Sequence, residues 1–335
     1  MNKKGLLLVN LGTPDDPSVK SVRKYLREFL MDKRVIDIPF IPRWLLVNLI
    51  IAPFRGPKSA AEYQKLWEDR GSPLKFYGED LRNEVQKKLG AEYAVTLAMR
   101  YQSPSIEKGL MELMSQNVDS IKVIPLFPQY ASATTGSVID KVMELTRKWQ
   151  IIPKIDFVSQ FHTNDKLIET IQDQAKSLID ENNYEHFVFS YHGLPERQIY
   201  KSGIKKCELG ECCNQCQGEN IFCYRAQCFD TTRLIANKLN LAEGSFTTAF
   251  QSRLGKDPWI QPYTEDLVQD LAKKGVKNVL AFSPAFVADC LETTLEVGET
   301  YKEEFLEAGG VRWDLVPSLN VHPRWVECIC DLARN

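Results

Sequence analysis

The stretch GLLLVNLG (5–12) decides the architecture. Its apolar residues run almost unbroken instead of alternating with polar ones, the pattern of a strand covered on both faces in a parallel sheet. Gly12-Thr13-Pro14-Asp15 ends it, and Asp16-Pro17 reads as the N-cap and first residue of a helix. Val19, Val22, Leu26, Phe29 and Leu30 then recur at helical spacing. The chain repeats this rhythm. Strands are expected at AVTLAMRY (94–101), SIKVIPLFP (120–128) and KIDFVSQF (154–161), with helices from about Ser105 and Thr135. Further strands are expected at HFVFSYHG (186–193), SFTTAFQS (245–252), NVLAFSPAF (278–286) and RWDLVPSL (312–319). Helices are expected near 164–182, 228–240, 264–275, 293–308 and 322–333. Alternating strands and helices require parallel sheets with right-handed crossovers. The fold class is therefore α/β, with two doubly wound domains facing each other across a cleft.

The length of 335 residues, at about 150 per domain, agrees with two domains. The expected boundaries are 1–150, then 151–319 with a cysteine-rich insertion at 205–228, then a terminal helix over 320–335. Net charge of −2 and the absence of a basic run argue against nucleic acid. The start MNKKGLLLVNLGTPDD has too short an apolar run for a signal peptide and no small-residue cleavage site. IPFIPRWLLVNLIIAPF (38–54) is broken by Pro39, Pro42, Arg43, Asn48 and Pro53, short of the ~18 apolar residues of a membrane span. A cytoplasmic protein with reduced thiols is expected. Monomer and homodimer are both compatible with the sequence.

In doubly wound sheets ligands sit beyond the carboxyl ends of the strands. That rule selects Gly12-Thr13, Arg100-Tyr101, Tyr191-His192-Gly193, Gln251-Ser252 and Pro284-Ala285-Phe286. No G-x-G-x-x-G opens the first helix and no P-loop occurs, so nucleotide readings lack support. Of four histidines, His162, His186 and His322 read as structural. His192, in FSYHGLPER, ends a strand before Gly193, and imidazole exchanges protons near neutral pH. Glu292, Glu296 and Glu299 recur at spacings of four and three after a strand end, with Asp289 beside them. On an α-helix this places carboxylates in one stripe, which is a solvated face, a cation site or a proton relay. Tyr101, Tyr130, Trp259 and Phe286 are candidate walls, each equally at home in a core, and Arg100 can hold an anionic group. KKCELGECCNQCQGENIFCYRAQC (205–228) holds six of the nine cysteines. In a reducing compartment the bland reading, clustered buried thiols, does not suit so polar a segment, and metal binding as zinc or an iron–sulfur cluster remains.

Together these segments resemble the ferrochelatase family, which inserts Fe(II) into a porphyrin. The resemblance runs over nearly the whole chain through LLLVNLGTPDD, LAMRYQSPSIEKGL, IPLFPQYASATTGS, FSYHGLPER, AFQSRLGKDPWIQPYTED and SPAFVADCLETTLE. It implies two Rossmann-like domains and protoporphyrin IX as substrate, with coproporphyrin or a cobalt-corrin precursor as the alternatives. A haem carrier or iron–sulfur sensor is the alternative from another class. It implies His192 as proton acceptor and, with Glu292, as ligand of the substrate Fe2+. Glu296 and Asp289 resemble the acidic path, and Arg100, Tyr101, Tyr130, Trp259 and Phe286 the porphyrin contacts. Where some members carry a histidine after the Asp of the acidic motif, Cys290 stands here. Residues 40–54 resemble the family's hydrophobic lip, implying peripheral contact with the inner face of a membrane, with Arg43 at the headgroups. Residues 205–228 resemble an insertion that carries a 2Fe–2S cluster in certain bacterial members. The expected ligands are Cys207, Cys213, Cys216 and Cys223, with Cys212 as substitute and Cys228 the weakest candidate, because its surroundings resemble members without the insertion.

Overall fold

A computed structural model describes residues 3–202, 207, 209–253, 255 and 257–335. Strands β1 (Lys3–Gly12), β2 (Tyr93–Tyr101), β3 (Val118–Pro125) and β4 (Lys154–Phe157) form a sheet in the order β2-β1-β3-β4. Strands β5 (His186–His192), β6 (Phe246–Gln251), β7 (Asn278–Phe282) and β8 (Arg312–Leu315) form a second, in the order β6-β5-β7-β8. Every pairing is parallel. The topology is therefore the same twice: an inner first strand, the second strand on one side, the third and fourth on the other. This is the α/β, doubly wound class read from the alternation of elements. Contacts divide the chain into two units, one made of residues up to Phe127 with Ala131–Gln160 and Val326–Asn335, the other of Pro128–Tyr130 and Phe161–Trp325.

The unbroken apolar run of β1 behaves as its pattern requires: Leu6, Leu7, Leu8 and Val9 are fully buried between helices on the two faces of the sheet. On one face Leu7 and Val9 join Ala98, Leu110, Val123, Val138 and Val142. In the second unit Val188, Val279, Ala281, Val297, Phe305 and Trp313 form the corresponding core. At about 25 cal/mol per Å2 of buried apolar surface, such layers supply the main stabilisation of each sheet. Gly12 ends β1 at φ 119°, where a Cβ would lie 2.1 Å from the carbonyl oxygen of Tyr101, so only glycine fits.

The first helix, Val19–Leu30, begins two residues later than its Asp-Pro signal implies. Ser18 is the N-cap, its Oγ accepting from the Ser21 amide, while Asp16 accepts from the Ser18 amide and shapes the turn before it. Helices Ala52–Leu66 and Pro73–Leu89 occupy a stretch in which the sequence pattern marked no element. The expected helix over 293–308 is divided. Leu291–Thr300 winds as a π-helix and Tyr301–Glu307 as an α-helix. Two more π-helical turns lie at Leu46–Ile51 and Ser132–Gly136. No helix among the described residues is long and apolar enough to cross a membrane.

Candidate active site

In a sheet of this order the chain leaves in opposite directions from two adjacent strands, and the crevice beyond their carboxyl ends is the place for a ligand. In the second unit those strands are β5 and β7. β5 ends in His192, and the segment after β7 leads to Glu292. His192 is half-buried and pairs in register with Gln251 of β6. Its Nδ1 lies 2.7 Å from the carbonyl oxygen of Gly193. A carbonyl only accepts, so Nδ1 carries the proton in the neutral ring and the lone pair is on Nε2. The His192 carbonyl accepts from the Tyr224 hydroxyl at 2.8 Å, fixing the backbone as well. Trp259 packs beside the imidazole with ring centroids 6.5 Å apart. A Cβ on Gly193 would come within 3.1 Å of that indole and 2.8 Å of the Gln251 carbonyl, so glycine lets the indole reach the ring.

Gln251, which the strand-end rule selects, ties the two halves of the site together. Its buried side chain accepts from Ser190 Oγ at 2.7 Å, and its Nε2 donates to the Glu292 carbonyl at 3.0 Å and to Glu296 Oε2 at 2.9 Å. Ser190 is held in turn by Thr264 at 2.9 Å. Glu296 also accepts from Ser252 Oγ at 2.6 Å and Tyr301 OH at 3.1 Å. Burial and the neighbouring Glu296 charge push the Tyr301 phenol well above its ordinary value, so it stays a donor. Ser252 sits at φ 66°, a strained conformation for serine that aims its hydroxyl at this carboxylate. Glu292 and Glu296 are half-buried, whereas Glu299 is exposed. The wider winding of the π-helix, bonded i→i+5, breaks the expected three-carboxylate stripe.

Asp289 is engaged by its neighbours: Oδ2 accepts from Asn320 Nδ2 at 2.8 Å and Oδ1 from the Ser318 amide at 3.3 Å. Phe286 lines a cavity of about 20 Å3 with Ser283, Pro284 and Val316. Tyr130 packs edge-on against half-exposed Phe222, centroids 5.5 Å apart, and its amide donates to Gln227 at 2.6 Å. In the first unit, Arg100 and Tyr101 converge on Asp32, which the sequence did not single out. Asp32 Oδ2 accepts from Arg100 at 2.6 Å, Tyr101 OH at 3.0 Å and Ser137 Oγ at 2.5 Å. Burial works to raise the Asp32 carboxyl, but the bonds from Ser137 and the Arg34 amide, with the Arg100 charge, hold it below the usual range. Tyr101 is fully buried, and desolvation together with Asp32 raises its phenol far above the ordinary value.

The cysteines form a second cluster. Cys212 and Cys213 sulfurs are 4.0 Å apart, and Arg225 donates to Cys213 Sγ at 2.9 Å. A hydrogen bond between Cys213 and Cys223 raises the first thiol and lowers the second. Cys207, raised chiefly by burial, interacts with both Cys212 and Cys213. Cys228 is fully buried against Tyr224, away from solvent. Such a thiol set is the soft donor chemistry of zinc or an iron–sulfur cluster, so these residues fit that group. Cys216, close enough to Cys213 to feel its charge, is also grouped with His162 and Asp230.

The same fold occurs in solved chelatases. The structure of "SirB from Bacillus subtilis with Fe3+" matches with a TM-score of 0.54 at 10% identity, covering 99% of this chain and 94% of that one. The sirohydrochlorin chelatase SirB from Bacillus subtilis subspecies spizizenii in complex with cobalt gives 0.51 at 11%, with the same coverage. At these identities the likeness is one of fold: the chain has the two-sheet architecture of the chelatases. A family model described as Ferrochelatase matches residues 3–335. The ferrochelatase of Legionella pneumophila (strain Paris) is 46% identical over 327 residues, 98% of this chain and 97% of the relative. That of Coxiella burnetii (strain Dugway 5J108-111) is 44% identical over 338 residues, 99% and 94% of the two chains. The chain belongs to the ferrochelatase family and is an enzyme that inserts a metal ion into a porphyrin for haem synthesis.

Proposed function

We propose that the enzyme inserts Fe(II) into protoporphyrin IX, with His192 as proton acceptor and Glu292 as its partner. The reaction exchanges two pyrrole N–H protons for one Fe2+. It needs a base within hydrogen-bond reach of the ring centre and a second group to handle metal or protons. The observation that carries the reading is the Gly193 carbonyl on His192 Nδ1, which leaves the lone pair on Nε2. A planar macrocycle shields its nitrogen lone pairs, so binding energy must be spent on bending it. Trp259, Phe286 and Tyr130 are the proposed apolar contacts, while Arg100 and Tyr101, both bound to Asp32, support the rim of their own unit. Glu296 extends the acidic path, held by Gln251, Ser252 and Tyr301. Asp289 fixes the loop that presents Glu292.

The test is anaerobic incubation with Fe2+ and protoporphyrin IX, following loss of porphyrin fluorescence. His192→Ala should lose at least ~10²-fold in turnover while remaining folded. Unchanged turnover in this variant refutes the assignment, and faster metalation of coproporphyrin or of a corrin precursor with Co2+ reassigns the substrate.

Cys207, Cys213 and Cys223 are proposed to hold a 2Fe–2S cluster with Cys212 as the fourth ligand. The contact of Cys207 with Cys212 and the placement of Cys216 beside His162 favour this choice over Cys216. Metal insertion transfers no net electrons, so the cluster would serve structure. Peripheral membrane contact is proposed through the segment 40–54. Phe40, Ile41, Trp44, Leu45, Leu49, Ile50 and Phe54 are all exposed, a concentration rarely left facing water. Arg43 takes no part in headgroup binding: it is buried, donating to the Ile36 and Ile38 carbonyls. Exposed Arg55 and Lys58 are the cations adjoining the patch.

A further inference from the structure

We propose that His162, Cys216 and Asp230 form a separate binding site for one divalent ion of the zinc class. One ligand atom from each lies within 4.8 Å of the other two. Tetrahedral zinc, bound at about 2.0–2.3 Å, holds pairs of ligand atoms roughly 3.3–3.8 Å apart, so closure needs movements of an ångström or less. The donor set of imidazole nitrogen, thiolate sulfur and carboxylate oxygen suits a borderline ion rather than the hard Mg2+ or Ca2+.

The independent observation is His162 itself. It is 4% exposed, and neither ring nitrogen makes a hydrogen bond. Its Nε2 stands 3.5 Å from Asp230 Oδ2, too far for a good hydrogen bond and correct for two groups facing a shared ion. Burying an imidazole whose nitrogens make no close hydrogen bond costs on the order of 1–3 kcal/mol, and a metal bond removes that cost. Asp230 is oriented from behind: Arg233 donates to Oδ1 at 2.9 Å, leaving Oδ2 toward His162. The three ligands come from different places. His162 follows β4, Asp230 lies on the helix Tyr224–Lys238, and Cys216 comes from the cysteine-rich insertion. A bound ion would pin that insertion to the helix beneath it. Neither His192 nor Glu292 is a ligand, so the site stands independently of the insertion chemistry.

The experiment uses the full chain, dialysed against chelator and titrated with Co2+ alone. The expected result is one equivalent of Co2+ with thiolate-to-cobalt absorption in the near ultraviolet and tetrahedral bands in the visible. Cys216→Ser should abolish that absorption. His162→Gln and Asp230→Asn should each weaken binding at least tenfold, and the visible spectrum of the protein as isolated should be unchanged in all three. His162→Ala serves as a second variant if the glutamine variant does not fold. The proposal is overturned if the absorption survives loss of His162 and Asp230 but falls with Cys207→Ser, which would place cobalt among the other thiols. It is equally overturned if Cys216→Ser removes an iron–sulfur spectrum. Porphyrin metalation, measured separately, decides the insertion reaction whatever cobalt does.

Discussion

Replacing Gln251 with methionine tests whether the carboxylates are positioned from the neighbouring strand. Methionine keeps most of the volume and removes every polar contact of the amide. Three hydrogen bonds are lost: from Ser190 Oγ, to the Glu292 carbonyl and to the Glu296 carboxylate. The neutral bonds contribute about 1 kcal/mol each and the charged one about 1.5–3. The partners are not all stranded, because Ser190 keeps Thr264 and Glu296 keeps Ser252 and Tyr301. The expected loss of stability is therefore about 2–4 kcal/mol, read as a shift in the urea midpoint. The functional effect should be larger than that loss implies. The lost amide held both the Glu292 backbone and the Glu296 carboxylate, and a displacement of about 1 Å at a reacting group costs up to ~10²-fold in rate. At a temperature where both proteins are folded, kcat for porphyrin metalation should fall tenfold to a hundredfold with little change in KM for the porphyrin. A variant that is destabilised but keeps kcat within threefold of the parent refutes the positioning role and leaves Gln251 a purely structural residue.

Two other perturbations address the rest of the molecule. Asp32→Asn leaves the Arg100 guanidinium, 14% exposed, without its partner, and about 3–5 kcal/mol of stability should go at neutral pH. The folded Asp32 carboxyl lies below its unfolded value, so its contribution is complete above that value and is lost as pH falls through the folded one. The stability gap between parent and variant should hold constant from pH 8 to about 5 and narrow below about 4, and a gap that widens in acid contradicts the sign. Leu49→Ser combined with Phe54→Ser removes side chains 56% and 79% exposed. Each fully buried apolar side chain contributes about 1.5–3 kcal/mol, so co-sedimentation with vesicles containing anionic lipid should weaken at least tenfold. Equal sedimentation of parent and double variant removes the membrane reading.

The eight strands were legible because strands inside a parallel sheet are apolar on both faces, and that signal is local. The strand-end rule then selected His192 and Gln251-Ser252 directly. What the sequence withheld was non-local. Nothing in LREFLMDKR marks Asp32 as the acceptor for Arg100 and Tyr101, because the bond spans 68 residues of chain. Much of the polar capacity of Arg100 and Tyr101 is used inside the protein, on Asp32, and their spacing in the sequence does not show it. His162 beside Cys216 and Asp230 was hidden in the same way, since its partners arrive from an insertion and a later helix. Helix Pro73–Leu89 was missed because its apolar positions, Phe76, Leu81, Val85 and Leu89, are interrupted by Gly78 and a run of charged residues.

The π-helix at Leu291–Thr300 explains why spacing alone does not place the side chains of the acidic segment. An α-helical reading of Glu292, Glu296 and Glu299 gives a continuous stripe, and a continuous stripe of charge belongs on a solvated face. The wider turn leaves Glu299 to solvent and brings Glu296 under Gln251 and Ser252. Tyr301 closes the widened winding twice over: its amide bonds the Glu296 carbonyl, five residues back, and its hydroxyl bonds the same residue's carboxylate. The costly backbone geometry and the placement of the carboxylate are therefore held by one residue. A carboxylate half-buried with three donors on it resists the drift that a free surface glutamate would undergo, and an acidic path for metal or protons requires that fixed placement.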